Sequence, residues 1–439
     1  MRKALILLNM GGPNNLSEVE IFLKNMFNDP FILGIKSDFW RSVLAALIVK
    51  SRTASARSNY EKLGGRSPIC SITEALCERV NELARAELGA GLKFENADGA
   101  QNLKFQSAAK FQNEIEFQGA VKLNSPDFSA TCKLQNSAKF QEGGEPGGEA
   151  KFQNQTEFKG TEFTSAASET PQGISTQSEP AQDNLLQNQP PRYVPTQGET
   201  PQNEAPKNEK PIDELICDYV MNYTPPFAED VLKKYADFDE IILMPLYPHF
   251  SKTTVQSSLC SAEAALKRLG IKNYKIIDIF YDSAAYNEIL LNLIADCVAK
   301  FSADEISQIS LIFSAHSLPV KMIAAGDPYE AQVKAHVEIL KDLLAARGIK
   351  FKEIILAYQS RLGPVKWLEP NVAGVLRDLQ SKKALIFPIA FCVDNSETDF
   401  ELDIFYRDQA RELGYEYYEV CKCPNSREDF AKFILAQAL

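Results

Sequence analysis

Short apolar runs alternate with amphipathic stretches along most of this chain, and polar residues cluster directly after each run. The runs at 3–9, 215–222, 240–246, 275–281, 309–315, 353–359 and 384–390 have the length and composition of strands. Helical spacing fills 17–27, 71–88, 258–269, 284–300, 328–346, 397–413 and 426–438, and Ser17 and Glu20 have capping-box spacing at the first of these. Such alternation builds βαβ units, so an α/β fold with parallel sheets is expected. In open sheets of this kind ligands bind at the carboxyl ends of the strands. Those ends carry Asn9-Met10-Gly11-Gly12, Tyr223, Tyr247-Pro248-His249, Ser314-Ala315-His316-Ser317, Gln359-Ser360-Arg361 and Asp394-Asn395-Ser396-Glu397.

One segment breaks the rhythm. Between 91 and 210 stand 25 Gln and Asn but only ten Leu, Ile and Val, and Lys-Phe-Gln or a near copy recurs at 93, 104, 110, 116, 139, 151 and 157. A six-residue period suits a solenoid, yet one apolar side chain per repeat is too little burial to offset backbone ordering, so the insert is read as disordered or loosely structured. Removing it leaves 319 residues, enough for two compact lobes. The expected boundaries are 1–90 with 211–270 for the first lobe, 271–424 for the second, and a C-terminal helix over 425–439. The insert joins a helix end to a strand start, which places it at the sheet edge opposite the strand-end residues.

A net charge of −11 leaves no basic surplus for phosphate neutralisation, so no nucleic-acid partner is expected. Nine thinly spread cysteines read as reduced thiols, and no run is long enough for a spanning helix. The opening MRKALILLNMGGP has no cleavage site and reads as a first strand, so a cytoplasmic location is expected.

Several residues could carry chemistry. His316 ends an SLIFSAH run, where an imidazole suits proton transfer or metal ligation, or simply a loop hydrogen bond. His249 has a similar position, whereas His336 reads as a solvated helix residue. Asp394, Glu397 and Glu401 fall on one helical face, as a file able to pass a cation or protons, or as acids favoured near a helix start. Gly11-Gly12 reads as a tight turn that lets a ligand approach the backbone. Cys421 and Cys423 lack the spacing of a metal set. The segment 31–49 is either a buried helix or an apolar lip that touches a membrane peripherally or admits a flat apolar substrate, and Arg52, Arg57 and Tyr60 border it.

Seven motifs in order make the sequence resemble the ferrochelatase family: LLNMGGP (7–13), YEKLGGRSPICSIT (60–73), YPHFSKTT (247–254), FSAHSLP (313–319), GDPY (326–329), YQSRLGPVKWLEP (358–370) and FCVDNSETDFELD (391–403). The resemblance covers nearly all of the chain outside the insert. It implies two similar Rossmann-like lobes with a cleft between them, and insertion of Fe²⁺ into protoporphyrin IX. It further implies that His316 and Glu397 are catalytic, and that His316, Glu397, Glu401 and Asp394 handle metal and protons. Met10, Arg52, Tyr60, Ser67, Tyr247, Ser360 and Trp367 match positions that hold the macrocycle. No cofactor is implied beyond the substrate iron. The animal-type [2Fe–2S] cluster is not expected, because Lys252 stands where a ligating Cys is needed and the C-terminal Cys set is missing.

Asn395 replaces the family's usual His, and Asn222 its frequent basic residue. A chelatase for coproporphyrin or another metal, or a non-catalytic haem or metal carrier, is the alternative. A nucleotide-binding protein is disfavoured by the missing glycine fingerprint.

Overall fold

The computed structural model describes residues 1–89, 211–277, 279–361 and 363–439. The apolar runs become two parallel four-stranded sheets. In the first, β1 (Arg2–Asn9), β2 (Glu214–Met221), β3 (Glu240–Pro245) and β4 (Tyr274–Ile276) lie in the order β2-β1-β3-β4. In the second, β5 (Ser310–His316), β6 (Glu353–Gln359), β7 (Lys383–Phe387) and β8 (Tyr417–Val420) lie in the order β6-β5-β7-β8. The two lobes therefore repeat one topology. In each the chain passes to one side of the first strand and then to the other, which creates a switch point beside β1 and beside β5.

Alternate faces of each strand enter different cores, as the pleat requires. Leu5 and Leu7 of β1, with Leu311, Phe313 and Ala315 of β5, belong to one cluster that runs through both lobes. The helices Ile69–Gly89, Ala284–Val298, Tyr329–Ala346 and Glu428–Ala436 contribute to that cluster. The opposite faces have separate cores: Ala4, Ile6 and Leu8 in the first lobe, Ile312, Ala384 and Ile386 in the second. Each outer core is completed by its own lobe's helices, so the shared cluster is what joins the halves.

Three sequence expectations change. The strand expected over 275–281 pairs over only three residues, and with β3, so the first lobe extends past 270. The strand β8 was not anticipated; it pairs with β7 and completes the second sheet. The cap of the first helical stretch is Asn15 rather than Ser17, because a 3₁₀ turn over Leu16–Glu18 precedes the helix Val19–Asn28 and places Ser17 inside it. The Asn15 side chain accepts from the backbone N–H groups of Ser17 and Glu18 at 3.0 and 3.3 Å.

The expected disorder of 91–210 lies outside the described residues. Its anchor points do not. The helix Ile69–Gly89 and the start of β2 flank it, and Glu214 pairs with Arg2 at the amino end of the sheet. That edge is opposite the strand ends that carry the polar residues. Among the described residues no helix is long and apolar enough to cross a membrane.

The 31–49 segment resolves into a short turn, Pro30–Leu33, and the first part of a 25-residue helix, Asp38–Lys62. It is not a buried helix. Phe39, Trp40 and Leu47 are 68%, 63% and 63% exposed, on a helix fixed by the buried Arg41, whose guanidinium donates to the carbonyls of Asn28 and Ile35. Each such side chain would contribute about 1.5–3 kcal/mol if fully covered, so an apolar lip left open in the free chain is a surface suited to an apolar contact.

Candidate active site

His316 is the last residue of β5, at the second lobe's switch point. Its Nδ1 lies 2.8 Å from Glu397 Oε2. Glu397 is delivered from the far side of that switch point, at the start of a π-helical segment, Glu397–Phe405, that follows β7. Its backbone N–H donates to the Asn395 side chain at 2.8 Å, and Asn395 donates in turn to the Val393 carbonyl. Asn395 thus ties down the first residue of the segment that carries Glu397.

The same Glu397 oxygen accepts from Gln359 Nε2 at 3.1 Å and from Ser360 Oγ at 2.9 Å. Ser360 follows β6 with φ +65°, an unusual conformation for a residue with a Cβ. It is held there by its own backbone N–H, which donates to Glu401 Oε1 at 2.9 Å. Its hydroxyl also contacts Glu401 Oε2. A hydroxyl has one hydrogen, so it satisfies both carboxyls only when one of them carries a proton.

The electrostatics say which. Burial pushes the Glu401 proton affinity up, and the neighbouring Glu397 charge adds to this. Burial works the same way on Glu397, but the His316 charge and hydrogen bond, with Gln359 and Ser360, hold it below the usual carboxylate range. Burial by itself would depress His316; the Glu397 carboxylate, by charge and hydrogen bond, raises it above the ordinary imidazole value. With Nδ1 committed to Glu397, Nε2 is the nitrogen left for a substrate, and 37% of the side chain is exposed. The result is a basic imidazole facing outward, backed by a carboxylate, a hydroxyl and a protonatable second carboxyl.

Asp394 does not join this chain. It is buried and accepts from the Cys423 N–H at 3.2 Å and from Asn425 Nδ2 at 2.8 Å, with Lys422 3.6 Å away. The expected helical file breaks there because Asp394 precedes the helical segment. Among the described residues no three His, Cys, Asp or Glu side chains converge as a metal cage.

The other expected residues fall in several places. Tyr60 is buried, with its hydroxyl 3.4 Å from Ser396 Oγ and its phenol pushed up to about 12 by burial, the Glu397 charge adding to this. It brings the end of the lip helix to the second lobe's carboxylate. Met10 is half-buried where three cores meet. Tyr247 is buried with its hydroxyl 3.1 Å from Ser258 Oγ. Trp367 forms a bridge with Pro319 just after His316, and its buried indole N–H has no protein partner among the described residues. Arg52 is exposed on the lip helix.

Ser67 is buried against Gly12, where an added Cβ would come within 2.6 Å of it, and Gly12 N–H donates to Thr224 Oγ1 at 3.2 Å. The close approach that needs Gly12 is therefore made by protein side chains, not by a ligand. Asn222 donates to Ser257 Oγ at 2.7 Å, beside the buried pair of Tyr223 and Asp29.

His336 is a correction. It is fully buried, not solvated, because its helix packs against the first lobe. Asn287 donates both amide hydrogens to the carbonyls of Tyr281 and Ser283, leaving its Oδ1 to accept from His336 Nε2 at 2.8 Å. His336 Nδ1 then accepts from His249 Nε2 at 2.9 Å. Burial drives His336 down to about 3 and His249 well below its usual value, so both stay neutral. They form a joint between lobes, and neither belongs to the His316 cluster.

Sequence reasoning missed Tyr406, which lies 3.4 Å from Glu401 Oε1, and the bridging position of Ser360. A spacing of five residues signals a contact only in a π-helix, and nothing in the sequence announces that winding.

Comparison with known proteins agrees with this geometry. The ferrochelatase family model matches residues 2–132 and 192–438. The ferrochelatase of Campylobacter fetus subsp. fetus is 41% identical over 435 residues, covering 99% of this chain and 98% of that protein. That of Campylobacter concisus is 37% identical over 439 residues (100% and 98%), and that of Sulfurimonas denitrificans 32% over 438 residues (99% and 97%). A match that spans both lobes and both sides of the His316 switch point leads to one conclusion: the chain belongs to the ferrochelatase family.

Proposed function

We propose that this chain inserts Fe²⁺ into a porphyrin, the metallation step of haem synthesis, and that the porphyrin is protoporphyrin IX. The observation that carries the reading is the His316–Glu397 pair, with its free ring nitrogen at a strand end and a hydroxyl and second carboxyl behind it.

Metallation must remove two N–H protons from the ring as iron enters. His316 Nε2 takes a proton, and its Nδ1 proton is the one shared with Glu397. Once Glu401 has lost its proton to solvent, Ser360 turns its hydroxyl toward Glu401, gives Glu401 that proton and takes one from Glu397, which takes the Nδ1 proton of the imidazolium. This restores Glu401, Ser360 and Glu397 and leaves neutral His316 with its proton on Nε2; that proton must pass to solvent and Nδ1 be reprotonated before Nε2 accepts the second one. The raised basicity of His316 favours this base role over that of a lasting iron ligand. Met10, Tyr60, Ser67, Tyr247 and Trp367 wall the macrocycle, Arg52 reaches its propionates, and the lip over 31–49 touches a membrane surface peripherally. The protein works in the cytoplasm and needs neither a resident metal nor a [2Fe–2S] cluster.

The test is anaerobic incubation with protoporphyrin IX and Fe²⁺, read as loss of porphyrin fluorescence. Turnover is expected in the wild type, with a fall of ~10²–10⁴-fold in His316→Ala. Stoichiometric haem binding without turnover would make the chain a carrier, and an undiminished His316→Ala rate would remove His316 from the chemistry.

A further inference from the structure

Away from the cleft, two cysteines that are 124 positions apart in sequence meet. Cys297 lies near the end of the helix Ala284–Val298, and Cys421 directly follows β8. Cys421 Sγ donates to Cys297 Sγ at 2.9 Å. The two differ in surroundings: Cys297 is partly buried but still reached by solvent, whereas Cys421 is 1% exposed. Cys421 is thus placed as the inner thiol and Cys297 as the outer one, open to a small solute.

The hydrogen bond has a direction with chemical consequences. An S–H donated to Cys297 stabilises that sulfur as thiolate, and its proton affinity is lowered chiefly by this bond. Cys421 is pushed the other way by burial and by its neighbour, and so keeps its proton. A solvent-accessible thiolate beside a protonated buried thiol is the arrangement found in two-cysteine redox sensors. A disulfide bond of about 2.05 Å requires the sulfurs to close by less than ~1 Å.

We propose that Cys297 and Cys421 form a peroxide-reactive dithiol site, converted by hydrogen peroxide to an intramolecular disulfide. The Cys297 thiolate attacks the O–O bond, becomes a sulfenic acid and releases hydroxide. The Cys421 thiol then attacks that sulfur, the S–S bond forms, and the oxygen leaves as water with the Cys421 proton. Two electrons leave the sulfurs and reduce one peroxide. The bond would tie the helix Ala284–Val298 to the end of β8. From there the chain continues through Lys422 and Cys423 to the contacts that hold Asp394.

An internal control exists. Cys77 and Cys217 also neighbour each other, but both are buried, at 5% and 3% exposure, so neither can meet the oxidant first.

The full chain, freed of metal with a chelator, is titrated with hydrogen peroxide, alkylated, and analysed by intact mass and non-reducing peptide mapping. The expected result is a loss of about 2 Da, one cross-linked peptide pair containing Cys297 and Cys421, reversal by dithiothreitol, and reduced Cys77 and Cys217. In Cys421→Ser, oxidation should stop at a sulfenic acid on Cys297, trapped by dimedone. In Cys297→Ser, Cys421 should stay alkylatable after denaturation. The proposal fails if the wild type shows no such cross-link, if Cys297 runs on to sulfinic acid while Cys421 is present, or if Cys77–Cys217 cross-links equally fast.

Discussion

Replacing Glu397 by Gln removes the negative charge beside His316 and leaves the imidazole subject to burial, opposed only by the weaker influence of Glu401. The direct readout is the titration of that ring, and this chain is suited to the measurement. It has three histidines, and two of them are locked in a neutral, buried pair, His336 at about 3 and His249 well below its usual value. Histidine-selective NMR should therefore show one ring titrating near neutral pH. In the wild type its midpoint should lie above the ordinary 6.5. A charge-assisted hydrogen bond is worth about 1.5–3 kcal/mol, and the low end applies because more than a third of the side chain meets solvent. In Glu397→Gln the midpoint should therefore fall toward or below 6.5. The raised His316 value also means that its share of fold stability is present below 6.5 and lost as pH rises through the folded-state value. For Glu397 the share is present above 4.5 and lost as pH falls through its lowered value. A wild-type midpoint at or below 6.5, or one that Glu397→Gln leaves in place, would refute the electrostatic account.

Further outcomes are expected. Ser360→Ala breaks the hydroxyl bridge between the two carboxyls and should lower kcat ~10–100-fold with little change in KM, measured by steady-state metallation; an unchanged kcat would remove the bridge from the proton path. Replacing 90–210 by a short Gly/Ser linker should leave metallation within about twofold, because the flanking helix end and β2 start lie at the edge opposite His316. A folded but inactive deletion would show the insert to be part of the site. Phe39→Ser with Trp40→Ser should weaken co-sedimentation with lipid vesicles about tenfold or more; equal binding by variant and wild type would move the contact elsewhere.

Seven of the eight strands among the described residues were legible in the sequence, because parallel strands buried on both faces read as continuous apolar runs, as in Ala4–Leu8. The eighth, Tyr417–Val420, is short and edge-placed, and only its pairing with β7 reveals it. His316 and Glu397 were legible from their strand-end positions and from the family motifs. The Ser360 bridge was not, since it depends on a left-handed backbone at one residue and a π-helical winding at another. His336 misled for a simpler reason: AQVKAHVEILKDL reads as amphipathic, but periodicity does not say that a second lobe covers the polar side. Asp394 shows the converse error, in which helical spacing was extended one turn beyond the helix.

The chain of Asn287, His336 and His249 has a mechanical consequence. Every proton in it has one assigned place, because the carbonyls of Tyr281 and Ser283 fix the first amide and each ring then fixes the next. Neighbouring bonds from Phe250 N–H to Gln332 and from Lys252 N–H to Asp327, at 2.7 and 2.8 Å, cross the same seam. Such a seam behaves as a ratchet tooth with a single seat: sliding by even one atom strands several buried donors, at about 1–3 kcal/mol each. Among the described residues the outer face of the lip helix carries no comparable lock, so a flat, rigid guest is accommodated most cheaply by the lip yielding while the lobes keep their spacing.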